Sequence, residues 1–284
     1  MRPRRRSGGC SAAKPTRVGL GVFLAVATLA SGAAAQSPTD RYPKAARSYL
    51  VAIDGQVIWE RAGDAHLAPA SLTKIMTALV LLDHNFTADA VVTISPRAAA
   101  IEGAQIGLRA GQKMTAGDLF TAMLVRSAND ACTALAEHDA GSVQAFVARM
   151  NERASAMHLS ATHFVNPCGL DAPGHLSSAR DLFQLTQVAL ARPLFASTVS
   201  LERAQVRVLG GPAITFTSSN ALLGRLPGAR GVKTGYTGAA GTCVIAAVER
   251  NGRRVIAVLL NAPDRWWAAA ALIEKAFEQA AADR

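Results

Sequence analysis

The sequence has few aromatic residues: they make up 5% of its 284 positions, and they are not interleaved with clustered lysines and arginines. Nucleic-acid-binding domains commonly combine a basic stripe with such aromatics. The formal net charge is +10, but six of the positive charges lie within residues 1–35, and without them it falls to about +4. The composition therefore predicts no nucleic-acid partner, and a mildly basic protein suits an anionic cell envelope.

Cysteine is also scarce, with four residues, and only Cys132, Cys168 and Cys243 lie beyond the N-terminal segment. An odd, sparse set does not form a disulfide framework, so we expect buried or free thiols. The six histidines show no His-Glu-x-x-His pattern, and His158 and His163 precede a turn rich in Asn, Pro and Cys. These patterns predict neither a metal site nor a cofactor.

Long hydrophobic runs are confined to the N-terminus, where "VGLGVFLAVATLA" follows a basic start and precedes Ala33–Ala35. This order is typical of a secretory signal peptide, and we predict cleavage near Ala35. The arginine-rich start leaves both the general secretory and the twin-arginine routes open. We expect residues 36–284 to be exported to the periplasm or cell envelope, without a stable membrane anchor, because no later run has the length and apolarity of a span.

Strand patterns occur at both ends of the region beyond the predicted signal. "SYLVAIDGQVIWE" and "TCVIAAVERNGRRVIAVLLN" each place two apolar runs around a turn dipeptide, Asp54–Gly55 or Asn251–Gly252. Such dipeptides between strands are typical of β-hairpins. Each stretch therefore predicts two antiparallel strands.

The residues between these hairpins have a helical period. Apolar residues recur every three or four positions from Pro69 to about Arg192, and residues 265–282 predict a closing helix. We therefore predict an α+β fold in which both ends build one antiparallel sheet flanked by helices. The middle of the chain forms a helical subdomain, and a ligand cleft is expected where it meets the sheet.

Ser71 and Lys74 lie on one face of the first turn of a predicted helix. The ordinary interpretation is a serine N-cap followed by a lysine whose amine reaches solvent. Ser11 and Lys14 have the same spacing within the predicted signal, so the tetrad alone indicates little. The chemical interpretation, a nucleophile beside its base, depends on partners elsewhere in the chain.

Two further short motifs follow in chain order. Ser127-Ala128-Asn129 lies at a break between helical patterns, and Lys233-Thr234-Gly235 precedes the second hairpin. Ser127 and Asn129 could instead cap a helix, and Lys233 could lie on an edge strand beside a turn glycine. Ser218-Ser219-Asn220 repeats Ser-x-Asn as a chance match. The complete order Ser-x-x-Lys, Ser-x-Asn, Lys-Thr-Gly is more specific than any of its parts.

Together these residues can form an acyl-transfer site. The hydroxyl of Ser71 is a poor nucleophile until a base takes its proton, and a neutral Lys74 is within reach. Desolvation and the positive charge of Lys233 would lower the pKa of Lys74. Ser127 can relay a proton to the leaving amine, and the backbone N–H groups of Ser71 and Tyr236 can form an oxyanion hole. We therefore predict Ser71, Lys74 and Ser127 as catalytic residues.

The same motifs predict a substrate-binding set. Asn129 can hold a substrate amide, while Lys233 and Thr234 present a positive charge and a hydroxyl to a carboxylate. Gly235 has no side chain, so another backbone can approach this strand closely. The predicted ligand therefore carries both an amide and a carboxylate.

The motifs and the sequence around them resemble the serine D-alanyl-D-alanine carboxypeptidases, which are low-molecular-mass penicillin-binding proteins. This resemblance implies a β-lactamase/transpeptidase-like fold and, as substrates, peptidoglycan stem peptides that end in D-Ala-D-Ala. It also implies inhibition by β-lactam antibiotics. It covers nearly all of residues 36–284, in stretches such as "ASLTKIMTALV", "SANDACTALAE", "HFVNPCGLDAPGHLSSARDL" and "GVKTGYTGAAGTCVIAAVERNGRRVIAVLLN".

The sequence departs from that family in two places. Many members carry a C-terminal β-rich domain with an amphipathic anchor, whereas here we expect residues 36–284 to hold the catalytic domain with no such domain after it. Many members also have histidine at the position of Cys168, so the resemblance assigns this residue no role.

Three other functions remain open. A D,D-endopeptidase that cuts peptidoglycan cross-links uses the same chemistry in a more open cleft. A class A β-lactamase needs a glutamate followed four residues later by asparagine, which Glu102, Glu137, Glu152 and Glu202 all lack. A non-catalytic wall-binding module requires a broken set of motifs, and here every member is present.

Overall fold

The computed structural model describes residues 39–84 and 86–282, together with Gly8, Gly9 and Ala12. Apart from those three positions, the predicted signal peptide and its cleavage site lie outside the described residues. All of the elements below belong to the compact unit Pro38–Arg284.

Strands lie mainly at the two ends of this unit, and helices lie between them. Two short helical turns complete the set, a 3₁₀ turn at Ala70–Thr73 and a π turn at Ala122–Arg126. In chain order the regular elements of the described residues are β1 (Ser48–Ile53), β2 (Gln56–Arg61), α1 (Lys74–Asp83), β3 (Val91–Thr93), α2 (Pro96–Ala100), β4 (Lys113–Thr115), α3 (Ala116–Thr121), α4 (Asn129–Ala140), α5 (Val143–Ala156), α6 (Ala179–Leu190), α7 (Pro193–Val199), β5 (Arg203–Arg207), β6 (Ala213–Thr217), β7 (Ala229–Thr237), β8 (Gly241–Arg250), β9 (Arg253–Leu260) and α8 (Arg265–Ala282).

A five-stranded antiparallel sheet joins both ends of the unit in the order β2-β1-β9-β8-β7. Both predicted hairpins are confirmed. Their turn residues have positive φ, 49° and 88° at Asp54 and Gly55, and 50° and 74° at Asn251 and Gly252. Positive φ at both central residues matches the twist of the flanking strands, which is why these dipeptides favour tight hairpins.

The sheet is covered on both faces. On one face Val51, Val244 and Leu259 pack with Leu272 of α8, as predicted for the closing helix. On the other face apolar residues of the same strands join the core of the helical subdomain, which includes α1, α4 and α6. The predicted α+β architecture is therefore confirmed. Strand β7 forms one edge of the sheet, and the 3₁₀ turn that carries Ser71 packs against it.

The helical region contains strands that the sequence analysis did not predict. Strands β3 and β4 form a two-stranded ladder of three residues each, and β5 pairs with β6 in a second small ladder. The first pair lies within the stretch that we expected to be helical throughout. Runs of three residues are too short to establish a period of two, so β3 and β4 depend on tertiary pairing.

The prediction for the cysteines was wrong for two of the three. Cys132 and Cys168 form a disulfide with their Cα atoms 6.0 Å apart, whereas Cys243 is a buried free thiol. Residues 133–167, between the paired cysteines, form the rest of α4, α5 and the loop after it, and this path returns the chain to α4. That return is a property of the fold, so cysteine spacing alone did not reveal it.

Within residues 39–84 and 86–282, none of the helices combines the length and the apolarity needed to cross a bilayer.

Candidate active site

Ser71 and Lys74 are brought together by the 3₁₀ turn and the first residue of α1. The Nζ atom of Lys74 lies 2.9 Å from the Oγ atom of Ser71. Ser71 is partly exposed, whereas Lys74 is completely buried. Neither ordinary interpretation holds, because Ser71 is not an N-cap of either helix and the amine of Lys74 does not reach solvent.

The amine of Lys74 has two further oxygen partners. Its Nζ atom lies 2.7 Å from Oδ1 of Asn129 and 2.6 Å from the backbone oxygen of Cys168. A neutral amine donates two hydrogens and keeps one lone pair. With the two hydrogens directed to Asn129 and Cys168, the lone pair faces the hydroxyl of Ser71. The three partners therefore suit a base that accepts the Ser71 proton.

Burial and charge both favour the neutral form of this amine. The pKa of Lys74 is lowered well below its ordinary value, mainly by desolvation and then by the positive charge of Lys233. The carboxylate of Asp130 acts in the opposite direction. However, Oδ2 of Asp130 already accepts hydrogen bonds from the backbone N–H groups of residues 106–108, which anchors that loop beside the site.

Ser127 and Lys233 form a second lysine–serine contact. Ser127 ends the π turn with a left-handed φ of 66° and is not the N-cap of α4. The Nζ atom of Lys233 donates to Oγ of Ser127 at 2.8 Å. Burial, followed by the nearby positive charge of Arg265, lowers the pKa of Lys233 to about 7. Lys233 is therefore cationic below neutral pH and loses its charge above it.

Asn129 connects the helical subdomain to Lys74. It is the first residue of α4 rather than its N-cap. Its Nδ2 atom donates to the backbone oxygen of Glu102 at 2.7 Å, while Oδ1 accepts from Lys74. Both ends of the amide are thus engaged within the protein, so a substrate amide would have to share or replace one of these bonds.

Strand β7 forms the opposite wall of the site. Thr234 is buried, and its hydroxyl lies 2.9 Å from that of Ser219. A Cβ atom at Gly235 would lie 2.9 Å from Cβ of Ala70 and 3.1 Å from the backbone nitrogen of Ser71. Glycine therefore allows the strand to pass directly beside the 3₁₀ turn. The backbone of Tyr236 follows at this point, and its side chain is 68% exposed.

A comparison with known protein families agrees with this geometry. The model of the peptidase S11 family, described as D-alanyl-D-alanine carboxypeptidase, matches residues 34–264. This chain belongs to the S11 family.

Several named D-alanyl-D-alanine carboxypeptidases are similar to the chain over most of its length. D-alanyl-D-alanine carboxypeptidase DacB2 of Mycobacterium tuberculosis is 34% identical over 243 residues, which cover 82% of each chain. DacF of Bacillus subtilis is 34% identical over 212 residues, or 73% of this chain and 54% of DacF. The chain thus spans about half the length of DacF and of some other carboxypeptidases that it matches.

Solved structures confirm the fold. The D-alanyl-D-alanine carboxypeptidase of M. tuberculosis H37Rv superposes with a TM-score of 0.79 at 32% identity, covering 86% of this chain and 95% of that one. The DD-transpeptidase of Streptomyces K15 superposes with a TM-score of 0.77 at 30% identity, covering 85% and 98%.

Three further side chains around the residues of the candidate active site were not predicted from the sequence. Arg265, the first residue of α8, donates to the backbone oxygen of Gly235 at 2.7 Å. Ser219 belongs to the Ser-x-Asn pattern that we dismissed as a chance match. His175 lies 2.8 Å from Oγ1 of Thr73 through Nε2. Of the three, only Ser219 belongs to a motif that is visible in the sequence. A role for it became apparent only from its contact with Thr234, 15 residues later.

His175 supports the turn that carries the serine. Its Nδ1 atom accepts from the backbone N–H of Val165 at 2.9 Å, so in the neutral ring Nε2 carries the proton and faces Thr73. The hydroxyl of Thr73 in turn donates to the backbone oxygen of Ala70. Burial lowers the pKa of His175 to about 4, which keeps the ring neutral at physiological pH.

Proposed function

We propose that this protein is a serine D-alanyl-D-alanine carboxypeptidase that removes the terminal D-Ala from peptidoglycan stem peptides. The observation that carries the proposal is the buried amine of Lys74, 2.9 Å from the hydroxyl of Ser71 and with a strongly lowered pKa. Lys233 and Thr234 on β7 are candidates for binding a carboxylate, as expected for a substrate that ends in a free carboxylate.

In the first half-reaction Ser71 is the nucleophile. Its Oγ atom attacks the carbonyl carbon of the penultimate D-Ala while Lys74 takes the hydroxyl proton. The backbone N–H groups of Ser71 and Tyr236 stabilise the oxyanion. The C–N bond then breaks, the leaving nitrogen takes a proton from the hydroxyl of Ser127, and Ser127 recovers a proton from Lys233. The proton that Lys74 took from Ser71 replaces the one that Lys233 gave, so both lysines return to their starting states. The products are free D-Ala and an ester on Ser71.

In the second half-reaction water attacks that ester. Lys74, now neutral again, takes a proton from the water, and the Oγ atom of Ser71 recovers a proton as the ester bond breaks. The carboxylate of Asp130 does not suit the role of base, because both of its oxygens already accept backbone N–H hydrogen bonds. With penicillin, the leaving amine stays tethered to the acyl group and shields the ester from water.

Substrate recognition is assigned to the residues of β7 and α4. Lys233 and Thr234 bind the terminal carboxylate, Gly235 gives the peptide access to the strand edge, and Asn129 binds a substrate amide. We further propose that residues 1–35 are a signal peptide and that residues 36–284 act in the periplasm or cell envelope. The mass of the processed protein from the periplasmic fraction tests this assignment, which requires cleavage near Ala35.

Labelling with penicillin tests the chemistry directly. We expect a covalent adduct on the peptide that contains Ser71, formed quickly and released slowly, together with repeated turnover of D-Ala-D-Ala peptides. Stopped-flow acylation followed by a decay measurement gives both rates. Rapid multiple-turnover hydrolysis of penicillin would instead indicate a β-lactamase, and the absence of any adduct would indicate a binding module.

Endopeptidase activity is a second candidate that a specific similarity supports. The D-alanyl-D-alanine endopeptidase of Escherichia coli is 29% identical over 252 residues, which cover 86% of this chain and 81% of that protein. Digestion of purified muropeptides separates the two activities. A carboxypeptidase releases D-Ala from monomeric stem peptides, whereas an endopeptidase converts cross-linked dimers into monomers.

A further inference from the structure

The disulfide joins two segments that both bind the amine of Lys74. Cys132 lies on α4, three residues after Asn129, whose Oδ1 atom accepts from Lys74. Cys168 lies in the loop after α5, and its own backbone oxygen is the other acceptor. Both cysteines are buried. The covalent bond therefore connects the two acceptor oxygens by a short path that is independent of Lys74.

The loop around Cys168 is internally rigid. Oδ1 of Asn166 accepts hydrogen bonds from the N–H groups of Cys168, Gly169 and Leu170, and its Nδ2 atom donates to the backbone oxygen of Leu170. The loop also contacts the 3₁₀ turn Ala70–Thr73, called the nucleophile turn because it carries Ser71. A Cβ atom at Gly169 would lie 1.9 Å from the backbone oxygen of Ala70. Such a loop moves as a unit, so its attachment points decide where the Cys168 oxygen lies.

Two contacts attach the loop around Cys168 to different helices. The hydroxyl of Thr77 donates to the backbone oxygen of Pro167 and ties the loop to α1, the helix that carries Lys74. The disulfide ties the loop to α4, which carries Asn129. Of these two links, only the disulfide joins the loop to the helix that carries Asn129, so it bears on the separation of the two acceptors, together with the contact of Thr133 Oγ1 with Cys168 Sγ at 3.5 Å. Because a neutral amine with both hydrogens bonded has one remaining lone pair, that separation determines whether the lone pair points at Ser71.

We propose that the Cys132–Cys168 disulfide is a positioning element for the acylation step, which holds the two acceptor oxygens so that the free electron pair of Lys74 faces Ser71. This inference rests on the proposed role of Lys74 as the base. An exported protein meets the oxidising conditions in which such a bond forms and persists. Cys132 and Cys168 are positioning residues, since neither sulfur takes part in the reaction.

Cysteine variants test the proposal, with Cys243 as the matched control. Cys132→Ala, Cys168→Ala and the double variant each remove the bond, whereas Cys243→Ala removes a buried thiol of β8 that is not in it. The measurement is the rate of acylation by penicillin as a function of pH. In the three disulfide variants we expect a loss of about tenfold to a hundredfold, as for small misplacements of a reacting group. We also expect an alkaline shift of the profile, because a loosened amine regains hydration. Cys243→Ala should behave like the wild type.

The outcomes distinguish this inference from the proposed function. Wild-type protein that is not acylated at Ser71 overturns the proposed function itself. Wild-type acylation with unchanged rates and pH profiles in folded disulfide variants overturns only the positioning role. Thiol titration of the denatured mature protein should find Cys243 alone, and titration of all three cysteines also overturns it.

Variants that fail to fold leave a second route, the reduction of wild-type protein under native conditions with circular dichroism as the monitor. Reduced protein that keeps its fold and shows slower, alkaline-shifted acylation supports the proposal. Reduced protein that unfolds shows that the bond is a general structural link, which contradicts a specific effect on Lys74.

Discussion

The two walls of the cleft each present a buried lysine in contact with a serine. The lysine–serine distance is nearly the same in the two pairs, but the surroundings of the two lysines differ. Lys74 lies 2.9 Å from Ser71 on the helical side, and Lys233 of the sheet lies 2.8 Å from Ser127. Lys74 is surrounded by oxygens from three separate segments. The second partner of Lys233 is the carbonyl oxygen of the next residue on its own strand, Thr234.

This difference shows that a lysine–serine contact does not by itself define a nucleophile. Ser71 is partly exposed at the start of a 3₁₀ turn, whereas Ser127 is 7% exposed and held in a left-handed conformation. Burial and the charge of Lys233 lower the pKa of Lys74 well below its ordinary value, while Lys233, with a pKa of about 7, carries charge below that pH. The first pair suits nucleophilic attack, and the second suits proton relay and anion binding.

The largest difference between the two lysine–serine pairs is expected when the serine hydroxyl of each pair is removed. Ser71→Ala removes the nucleophile, so D-Ala release should fall by on the order of 10⁶-fold and the penicillin adduct should disappear. Ser127→Ala should slow acylation by about 10²- to 10⁴-fold, the usual contribution of a proton-transfer group, while an adduct still forms on Ser71. Mass spectrometry of the adducts and a D-Ala release assay measure both. A penicillin adduct that persists in Ser71→Ala would show that Ser71 is not the nucleophile.

A methyl group between the loop around Cys168 and the turn that carries Ser71 should be the next most damaging change. At Gly169, Gly169→Ala would place Cβ 1.9 Å from the backbone oxygen of Ala70 and displace the nucleophile turn. We expect a loss of about 10²-fold in acylation.

Gly174→Ala is the matched control for this change. Gly174 has nearly the same φ, 79° against 83° at Gly169, but has no atom within 4 Å of the added Cβ. It should lose only about 1 kcal/mol of unfolding free energy, measured by urea denaturation, and retain its acylation rate. Equal losses of acylation in the two variants would show that backbone strain, not the contact with Ala70, is responsible.

Substrate charge separates the roles of the two lysines. A charge-assisted hydrogen bond contributes about 1.5–3 kcal/mol, so Lys233→Ala should weaken acylation by a carboxylate-ended peptide by about 10- to 150-fold. The loss should be much smaller for the corresponding amide. Parallel kcat/KM measurements on the two peptides give the ratio. Equal losses would mean that Lys233 only adjusts the pKa of Lys74.

The pH dependence of acylation should reflect the different roles of Lys74 and Lys233. Acylation requires neutral Lys74, so the rate should rise as the pH passes through the lowered pKa of Lys74. It should fall again as Lys233 loses its proton near its pKa of about 7 and carboxylate binding weakens. In Lys233→Ala the falling limb should vanish. The rising limb should move to higher pH, because the charge that lowers the pKa of Lys74 is gone. A rising limb that stays in place would contradict this coupling.

The smallest effect is expected at Ser219. Its hydroxyl lies beside that of Thr234, and Ser219→Ala should cost about 0.5–1.5 kcal/mol, or about 2- to 12-fold in kcat/KM for carboxylate-ended peptides. Ser197→Ala, which removes an exposed hydroxyl on α7, should leave kcat/KM unchanged. If Ser219→Ala matches this control, the contact between the hydroxyls does not position Thr234.

Local patterns predicted much of this arrangement. Asp54–Gly55 and Asn251–Gly252 specify their turns because few other residues tolerate positive φ, and residues 265–282 form the predicted closing helix. The motif residues Ser71, Lys74 and Lys233 were predicted by type and order, because an acyl-transfer site needs these functional groups. The disulfide, the backbone oxygen of Cys168 and the contact of Ser219 with Thr234 join positions far apart in the chain, and they left no periodic signal.

By itself, the sequence determined the chemical groups, the hairpins and the α+β class, because these depend on residue type and on the backbone preferences of neighbouring residues. Only the tertiary structure decided which lysine–serine pair has an accessible hydroxyl and which amine is surrounded by acceptors. Burial and hydrogen bonding depend on segments 50 to 100 residues apart, such as Lys74 with Asn129 and Cys168. The lowered pKa of each lysine arises from that packing, since desolvation is the largest cause of both shifts.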